Sequence, residues 1–298
     1  AWATGANVNT ARRFSAGAGT TTAGLMFSGS TTPPEVYRTE TESYNGTAWS
    51  EVNDVNTAKQ YIAGNGTQTS ALKTGGNPGN VTNNESWNGS SWTEVNDINS
   101  GRHNANNSGP DNTSAVCMGG YSPSPGASGF STETWKGNGG GTNGRPNVEL
   151  WNGSSWTEVG DLNDGRYGLG GNGSSTSAIA FGGNDNPPTE ALTEQWNGTS
   201  WTEVSDLSTA RDGGASGTSP SASGFFAAGR SGSGATTITA ATEEWAADMA
   251  QGAWATSTAM NTERRGIGSA VSGTQTAALG FGGGNPSDIA NTESWNGS

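Results

Sequence analysis

Six acidic and six basic residues recur at matching places along the chain, and they are its most evident candidates for chemistry. A glutamate stands two residues before an aromatic at Glu42, Glu85, Glu149, Glu194, Glu243 and Glu293. A base precedes each of them at Arg12, Lys59, Arg102, Arg166, Arg211 and Arg264. Carboxylates can act as general acid and base, but that work takes two of them, placed asymmetrically. One acid and one base per repeat predict instead a recurring ion pair, or an arginine-to-backbone network that ties the repeats together. Asp54, Asp97, Asp161 and Asp206 also recur. Their setting (Val-Asn-Asp-Val and relatives) is that of a side chain capping its own turn. No spacing among them resembles a cation-binding loop, so no metal site is expected. The single histidine, His103, and the single cysteine, Cys117, are too few for a zinc site, although His103 stands open as a lone acid or base. Cys117, in Ala115-Val116-Cys117-Met118, reads as a small buried hydrophobe.

Composition narrows the class. The formal charge of −13 leaves no basic stripe to neutralise phosphates, so nucleic acid is not an expected partner. No apolar run approaches the length of a membrane-spanning helix. Glycine and proline make up about a fifth of the chain, below the range that marks low-complexity disorder. Twelve tryptophans at regular intervals argue for a folded core. Each indole, fully buried, removes about 150–250 Å² from water, worth at most about 4–6 kcal/mol.

The elements that must position these groups are announced by a repeated phrase. Trp-Asn-Gly-Ser-Ser-Trp-Thr-Glu-Val stands at Trp87–Val95 and Trp151–Val159, with close variants at Tyr44–Val52 and Trp196–Val204. A further copy is divided between Trp295-Asn296-Gly297-Ser298 and Ala1-Trp2. The second tryptophan of each copy, at 2, 49, 92, 156, 201 and 254, recurs at intervals of 47, 43, 64, 45 and 53 residues. Such periods, rich in glycine and aromatics, point to propeller blades. The expected fold is all-β: one six-bladed β-propeller domain over residues 1–298, with four-stranded antiparallel blades. The last blade would be closed by the N-terminal strand, a 3+1 clasp. Glycine-spaced innermost strands fit the crowding at the axis. Asn-Gly between two strands predicts a two-residue type I′ hairpin. Trp87 would then face Ser90, with Trp92 its diagonal neighbour and the aromatic pairs packed between blades. The same geometry accounts for the Asn-Gly-Ser/Thr triplets without glycosylation.

The unit Gly182-Gly183, Trp196, Trp201, Arg211 resembles the kelch repeat, whose blades carry a double glycine, an aromatic, a tryptophan and then an arginine opening the next unit. The resemblance covers all six units, with Ser28-Gly29 and Ala228-Gly229 replacing the double glycine and a shorter aromatic-to-Trp loop. In its Ser/Thr/Asn-rich, Trp-Asn-Gly style the chain is also similar to kelch-like arrays predicted in marine bacteriophage genomes. The resemblance implies closure through the outer hairpin, and a virion or extracellular setting. The copper chemistry of the kelch-like galactose oxidase family needs two histidines and a Cys–Tyr cross-link, which one histidine cannot supply.

Alternation of strands puts the crossovers and the loops between second and third strands on one face, and the Asn-Gly hairpins on the other. The first set is uneven: Ser30–Thr39, Arg230–Ala241 and Tyr121–Asn147 are long. Residues outside a repeat are those repetition does not explain, and insertions often decorate the binding face. The candidate binding residues are Tyr121, Phe130, Trp135, Lys136 and Arg145, with Tyr37, Arg38 and Arg230 on the neighbouring loops. Aromatics beside basic side chains suit glycans or protein surfaces. The expectation is a non-enzymatic recognition module without cofactor, docking a glycan or protein. The alternatives are an intracellular protein–protein scaffold and an enzyme with its site in the axial funnel.

Overall fold

In the computed structural model the chain forms six antiparallel sheets arranged as the blades of a β-propeller. The structure describes residues 2–79, 81–122, 144–185, 188–217, 220–232, 237–247, 252–270 and 276–297, and no helix occurs among them. Blade 1 runs from its innermost strand Ala16–Thr20 through Ala23–Phe27 and Thr41–Tyr44 to the outer strand Trp49–Val52. Blades 2, 3 and 4 repeat it from innermost strands Ala63–Thr67, Asn106–Asp111 and Gly170–Ser174. Blade 5 splits its innermost strand into Arg211–Asp212 and Ala215–Ser216, both paired with Ser223–Ser231. Blade 6 takes Gly268–Ser269, Ala278–Phe281 and Thr292–Trp295, and its outer strand is Trp2–Thr4. There Trp2 lies opposite Trp295 and Thr4 opposite Glu293, so the 3+1 closure is present. The innermost strands touch in sequence around the ring, the last against the first.

Crowding at the axis explains the glycines. A Cβ on Gly17 would stand 2.3 Å from the Ser269 carbonyl oxygen of the neighbouring blade, so no side chain fits. The second strands carry the core: Leu25, Met26, Phe27, Val116, Cys117, Ile179 and Phe181 are fully buried. Between blades the indoles fill the gap. Trp92 meets Phe27 of the preceding blade at 4.9 Å, Trp49 meets Phe281 at 5.0 Å and Trp254 meets Phe181 at 4.7 Å, all edge-on. Their Nε1 groups donate to the hydroxyls of Thr41, Thr292 and Thr193, each at 3.1 Å. These three indoles thus bury their rings and still satisfy their one polar group.

Two expectations about the hairpins need correction. Trp87 lies directly opposite Trp92, and Trp151 and Trp196 likewise face Trp156 and Trp201, so the connection is four residues long. The cause is the Asn88 side chain. Its Oδ1 accepts the backbone N–H groups of Ser90 (3.0 Å) and Ser91 (2.9 Å), and Gly89 alone takes positive φ (94°). A type I′ turn would need positive φ twice; an Asn side chain bonding its own backbone needs it once. The second correction concerns Arg230–Ala241. Ser223–Ser231 and Thr237–Ala246 pair from Ser223–Ala246 out to Ser231–Thr237, extending the blade 5 hairpin through much of the expected loop.

The recurring charges are structural. Arg12–Glu42 (2.8 Å), Arg102–Glu149 (2.5 Å), Arg166–Glu194 (2.9 Å), Arg211–Glu243 (3.0 Å) and Arg264–Glu293 are buried ion pairs. Each glutamate also accepts a backbone N–H from the crossover, from Asn9, Asn56, Asn99, Asn163, Ser208 and Asn261 in turn. The carbonyl of each basic residue accepts the N–H of a glycine on the preceding blade, from Gly283 to Arg12 around to Gly229 and Arg264. In five of the six blades one arginine therefore joins crossover, third strand and neighbouring blade. Ser28 (φ 57°) and Ala228 (φ 58°) keep the left-handed backbone of the glycines they replace, such as Gly182 (φ 60°). The crossover aspartates, expected to cap their own turns, reach back to the third strand or just before it instead: Asp54 and Asp206 accept the N–H groups of Thr41 (3.2 Å) and Thr193 (3.0 Å), and Asp97 accepts the Thr82 hydroxyl (2.7 Å).

Candidate functional site

Two residues beyond each basic residue the chain turns into the innermost strand with positive φ. The six are Phe14 (56°), Tyr61 (54°), Asn104 (54°), Gly168 (64°), Gly213 (64°) and Gly266 (62°). Their peptide groups form a closed ring about the axis. Phe14 N–H donates to the Gly266 carbonyl (2.9 Å), Tyr61 to Phe14 (3.0 Å) and Asn104 to Tyr61 (2.9 Å). Gly168 donates to Asn104 (2.8 Å), Gly213 to Gly168 (2.8 Å) and Gly266 to Gly213 (3.0 Å). Glycine adopts this conformation freely, whereas Phe14 and Tyr61 hold it at a cost of about 1–2 kcal/mol each. What that strain secures is position: both side chains line the axial cavity.

One residue earlier, each blade sets a rim residue against a partner from the end of its second strand or the stretch that follows it. The pairs are Arg13–Ser30, Gln60–Asn77, His103–Tyr121, Tyr167–Asn184, Asp212–Arg230 and Arg265–Gly284. The backbone of these pairs repeats six times, while no two pairs carry the same side chains. Below them opens a funnel of about 480 Å³, reaching down to Asn106, Ser216 and Ser269 on the innermost strands.

The funnel is lopsided. Blades 5, 6 and 1 contribute Arg230, Arg265 and Arg13 to its wall, and blades 1 to 4 contribute an arc of rings. Phe14 lies on Tyr61 at 4.0 Å, Tyr61 beside His103 at 5.5 Å, His103 stacked on Tyr121 at 4.8 Å, and Tyr121 edge-on to Tyr167 at 5.5 Å. Asp212, fully buried, grips Arg230 through both carboxylate oxygens. Burial pulls the Arg230 guanidinium down, but that two-point contact outweighs it and leaves its pKa raised. Arg13 reaches Asp288 at 3.5 Å. Arg265 makes no side-chain hydrogen bond or ion pair among the described residues. Burial, and then the neighbouring Arg230 and Arg13, lower its guanidinium. Burial also lowers the His103 imidazole to about 4 and raises the Tyr61 and Tyr167 phenols. The histidine is therefore neutral at pH 7, and the rings present hydroxyl and imidazole groups rather than charges.

The sequence-predicted residues divide. Tyr121 and Arg230 line the funnel. Tyr37 and Arg38 sit half-buried at a short hairpin, Ser30–Thr31 with Val36–Tyr37, where Arg38 pairs with Glu40 at 3.2 Å. Arg145 is buried, its N–H donated to the Gly120 carbonyl at 2.8 Å, and it is not part of the funnel wall. Phe130, Trp135 and Lys136 lie outside the described residues. Sequence reasoning missed Arg13, Phe14, Tyr61, Tyr167, Asp212 and Arg265, and left His103 open only as a lone acid or base. Their signal was available as the two residues after each repeated base, which differ at every blade. Among the described residues no cluster of His, Cys, Asp and Glu could hold a metal ion.

What fold and site together define is a class: a six-bladed β-propeller whose axial funnel opens on the crossover face. Compared with protein-family models and with curated proteins, the chain matches none.

Proposed function

We propose that the protein is a recognition module, not an enzyme, and that it docks a glycan or a protein through the funnel mouth and the loops around it. The observation that carries this reading is the rim: one backbone geometry repeated six times carries unlike residues, of which Arg13, His103, Tyr121, Tyr167, Asp212, Arg230 and Arg265 line the funnel. Structure alone would be served by like pairs, as it is at the five Arg–Glu pairs. The cavity has the size of a small-ligand site. Within its wall Asp212 is committed to Arg230, which removes it as a free acid or base. Cys117 is buried away from the funnel, and burial raises its thiol to about 11. The kelch-like blade pattern and the phage-like style of the sequence favour a virion or extracellular surface as the setting. Screening glycan and peptide arrays with the wild type and with Tyr121→Ala/Arg265→Ala tests the reading. Binding should be lost in that variant and kept in Ser154→Ala on the hairpin face. Binding that survives in the funnel variant would refute it.

A further inference from the structure

From the division of the funnel into a basic half and an aromatic half, we infer that its ligand is an acidic saccharide, a pyranose carrying a carboxylate. This rests on the recognition reading above and narrows it to one chemistry. The acid would meet Arg265, and the sugar ring would lie against the arc formed by Tyr61, His103 and Tyr121.

Three observations converge. First, Arg265 is a half-buried guanidinium with no carboxylate partner among the described residues, in a chain of net charge −13. Arg230 and Arg13, from the two flanking blades, share its cavity, and each already leans on an aspartate. A planar guanidinium takes a carboxylate through two parallel hydrogen bonds, which is the geometry an added acid would complete. Second, the opposite half supplies rings tipped with hydroxyl and imidazole groups, and the one carboxylate beside them, Glu35, is held by Gln60 Nε2 at 3.1 Å. Such surfaces stack on the apolar face of a sugar and hydrogen-bond its hydroxyls. Third, the backbone ring closes the main chain at the level of residues 14, 61, 104, 168, 213 and 266. There six N–H and six C=O groups bond one another, so a ligand entering the funnel meets side chains before it meets the edges of the innermost strands below. First contact is therefore made by side chains, which favours a compact, hydroxyl-rich ligand over an extended chain. The cavity of about 480 Å³ sets the scale at a short oligosaccharide.

The test is calorimetry with tri-galacturonate, its methyl ester, and a peptide of alternating glutamate and glycine, each against wild type, Arg265→Gln and Tyr121→Ala. Circular dichroism and melting curves check that the variants fold. The wild type should bind tri-galacturonate at least about tenfold more tightly than the ester, the scale of one charged hydrogen bond. Arg265→Gln should erase that difference, and Tyr121→Ala should weaken both saccharides. Equal binding of acid and ester, with no effect of Arg265→Gln, would overturn the inference and leave the recognition reading standing. So would Arg265-dependent binding of the peptide alone. No binding of any of the three probes would overturn the acidic-sugar inference. The wider reading falls only if the arrays also show no funnel-dependent ligand.

Discussion

Lys73 Nζ lies 2.6 Å from Glu85 Oε1, a contact that replaces the crossover–strand ion pair of every other blade. In blade 2 the crossover base is Lys59, and its Nζ donates to the Pro78 carbonyl (2.8 Å). The charge for Glu85 comes instead from the second strand, where Lys73 occupies the place of Met26 in blade 1 and Cys117 in blade 3. Both lysines are depressed by burial. Lys59 is lowered further by Lys73, whereas Glu85 opposes the shift in Lys73. Two residues have exchanged one task.

Lys73→Met therefore strips the cation from a buried carboxylate, and stability should fall by about 3–5 kcal/mol. Adding Lys59→Arg restores the arrangement of the other blades and should recover at least half of that loss. Urea unfolding of the single and double variants measures both. A double variant no more stable than Lys73→Met would show that the crossover base cannot take over.

The clasp makes a second prediction. Trp2–Thr4 covers Thr292–Trp295, and Gly5 N–H adds a bond to the Thr292 carbonyl at 2.8 Å. Deleting residues 1–6 leaves the last blade with three strands and an open edge. Losing about 3 kcal/mol should lower Tm by roughly 5–10 °C. An unchanged Tm would mean that the ring closes without this strand.

Much of this was legible in the sequence because repetition exposes whatever serves structure. The split Trp-Asn-Gly phrase marked the shared blade, and Glu42 with Arg12 marked the recurring ion pair. The hairpin register was misread because Asn-Gly has two uses. Which one applies depends on whether Asn88 Oδ1 caps Ser90 and Ser91, a side-chain contact with no signature in strand alternation. The funnel was hidden for the opposite reason. Phe14, Tyr61, Asn104 and three glycines look unrelated as letters, yet they share one φ and one ring of peptide bonds. Likeness of backbone under unlike side chains appears only once the blades are superposed around an axis.

The indole–threonine bonds between blades give a third prediction. Trp92 Nε1 donates to Thr41 Oγ1 at 3.1 Å within a buried interface. Thr41→Val keeps the shape and removes the acceptor, leaving a buried N–H unpaired at a cost of about 1–3 kcal/mol. Blade 3 has Val148 at the matching position, and there Trp201 turns to the Gly160 carbonyl at 3.1 Å. Thermal unfolding of Thr41→Val decides the matter. An unchanged Tm would show that Trp92 finds a carbonyl in the same way.

The last prediction concerns pH, and the chain's single histidine makes it direct to read. Burial lowers His103 from an ordinary 6.5 to about 4 in the folded protein. As pH falls, the unfolded chain takes up the proton first, so unfolding is favoured by acid. The contribution of the neutral ring is fully present above about pH 6.5 and is lost progressively towards pH 4. Between pH 6.5 and 5, where most carboxylates remain ionised, the wild type should lose about 1–2 kcal/mol more than His103→Gln. Chemical denaturation at a series of pH values gives that difference. The proton resonance of the one imidazole gives the folded pKa without assignment. A midpoint near 6.5 would mean that the ring is solvated and that the stack on Tyr121 does not shield it. A midpoint near 4 would establish a neutral hydrogen-bonding group on the aromatic side of the funnel, poised beside Tyr61 and Tyr121 at the pH of the protein's surroundings.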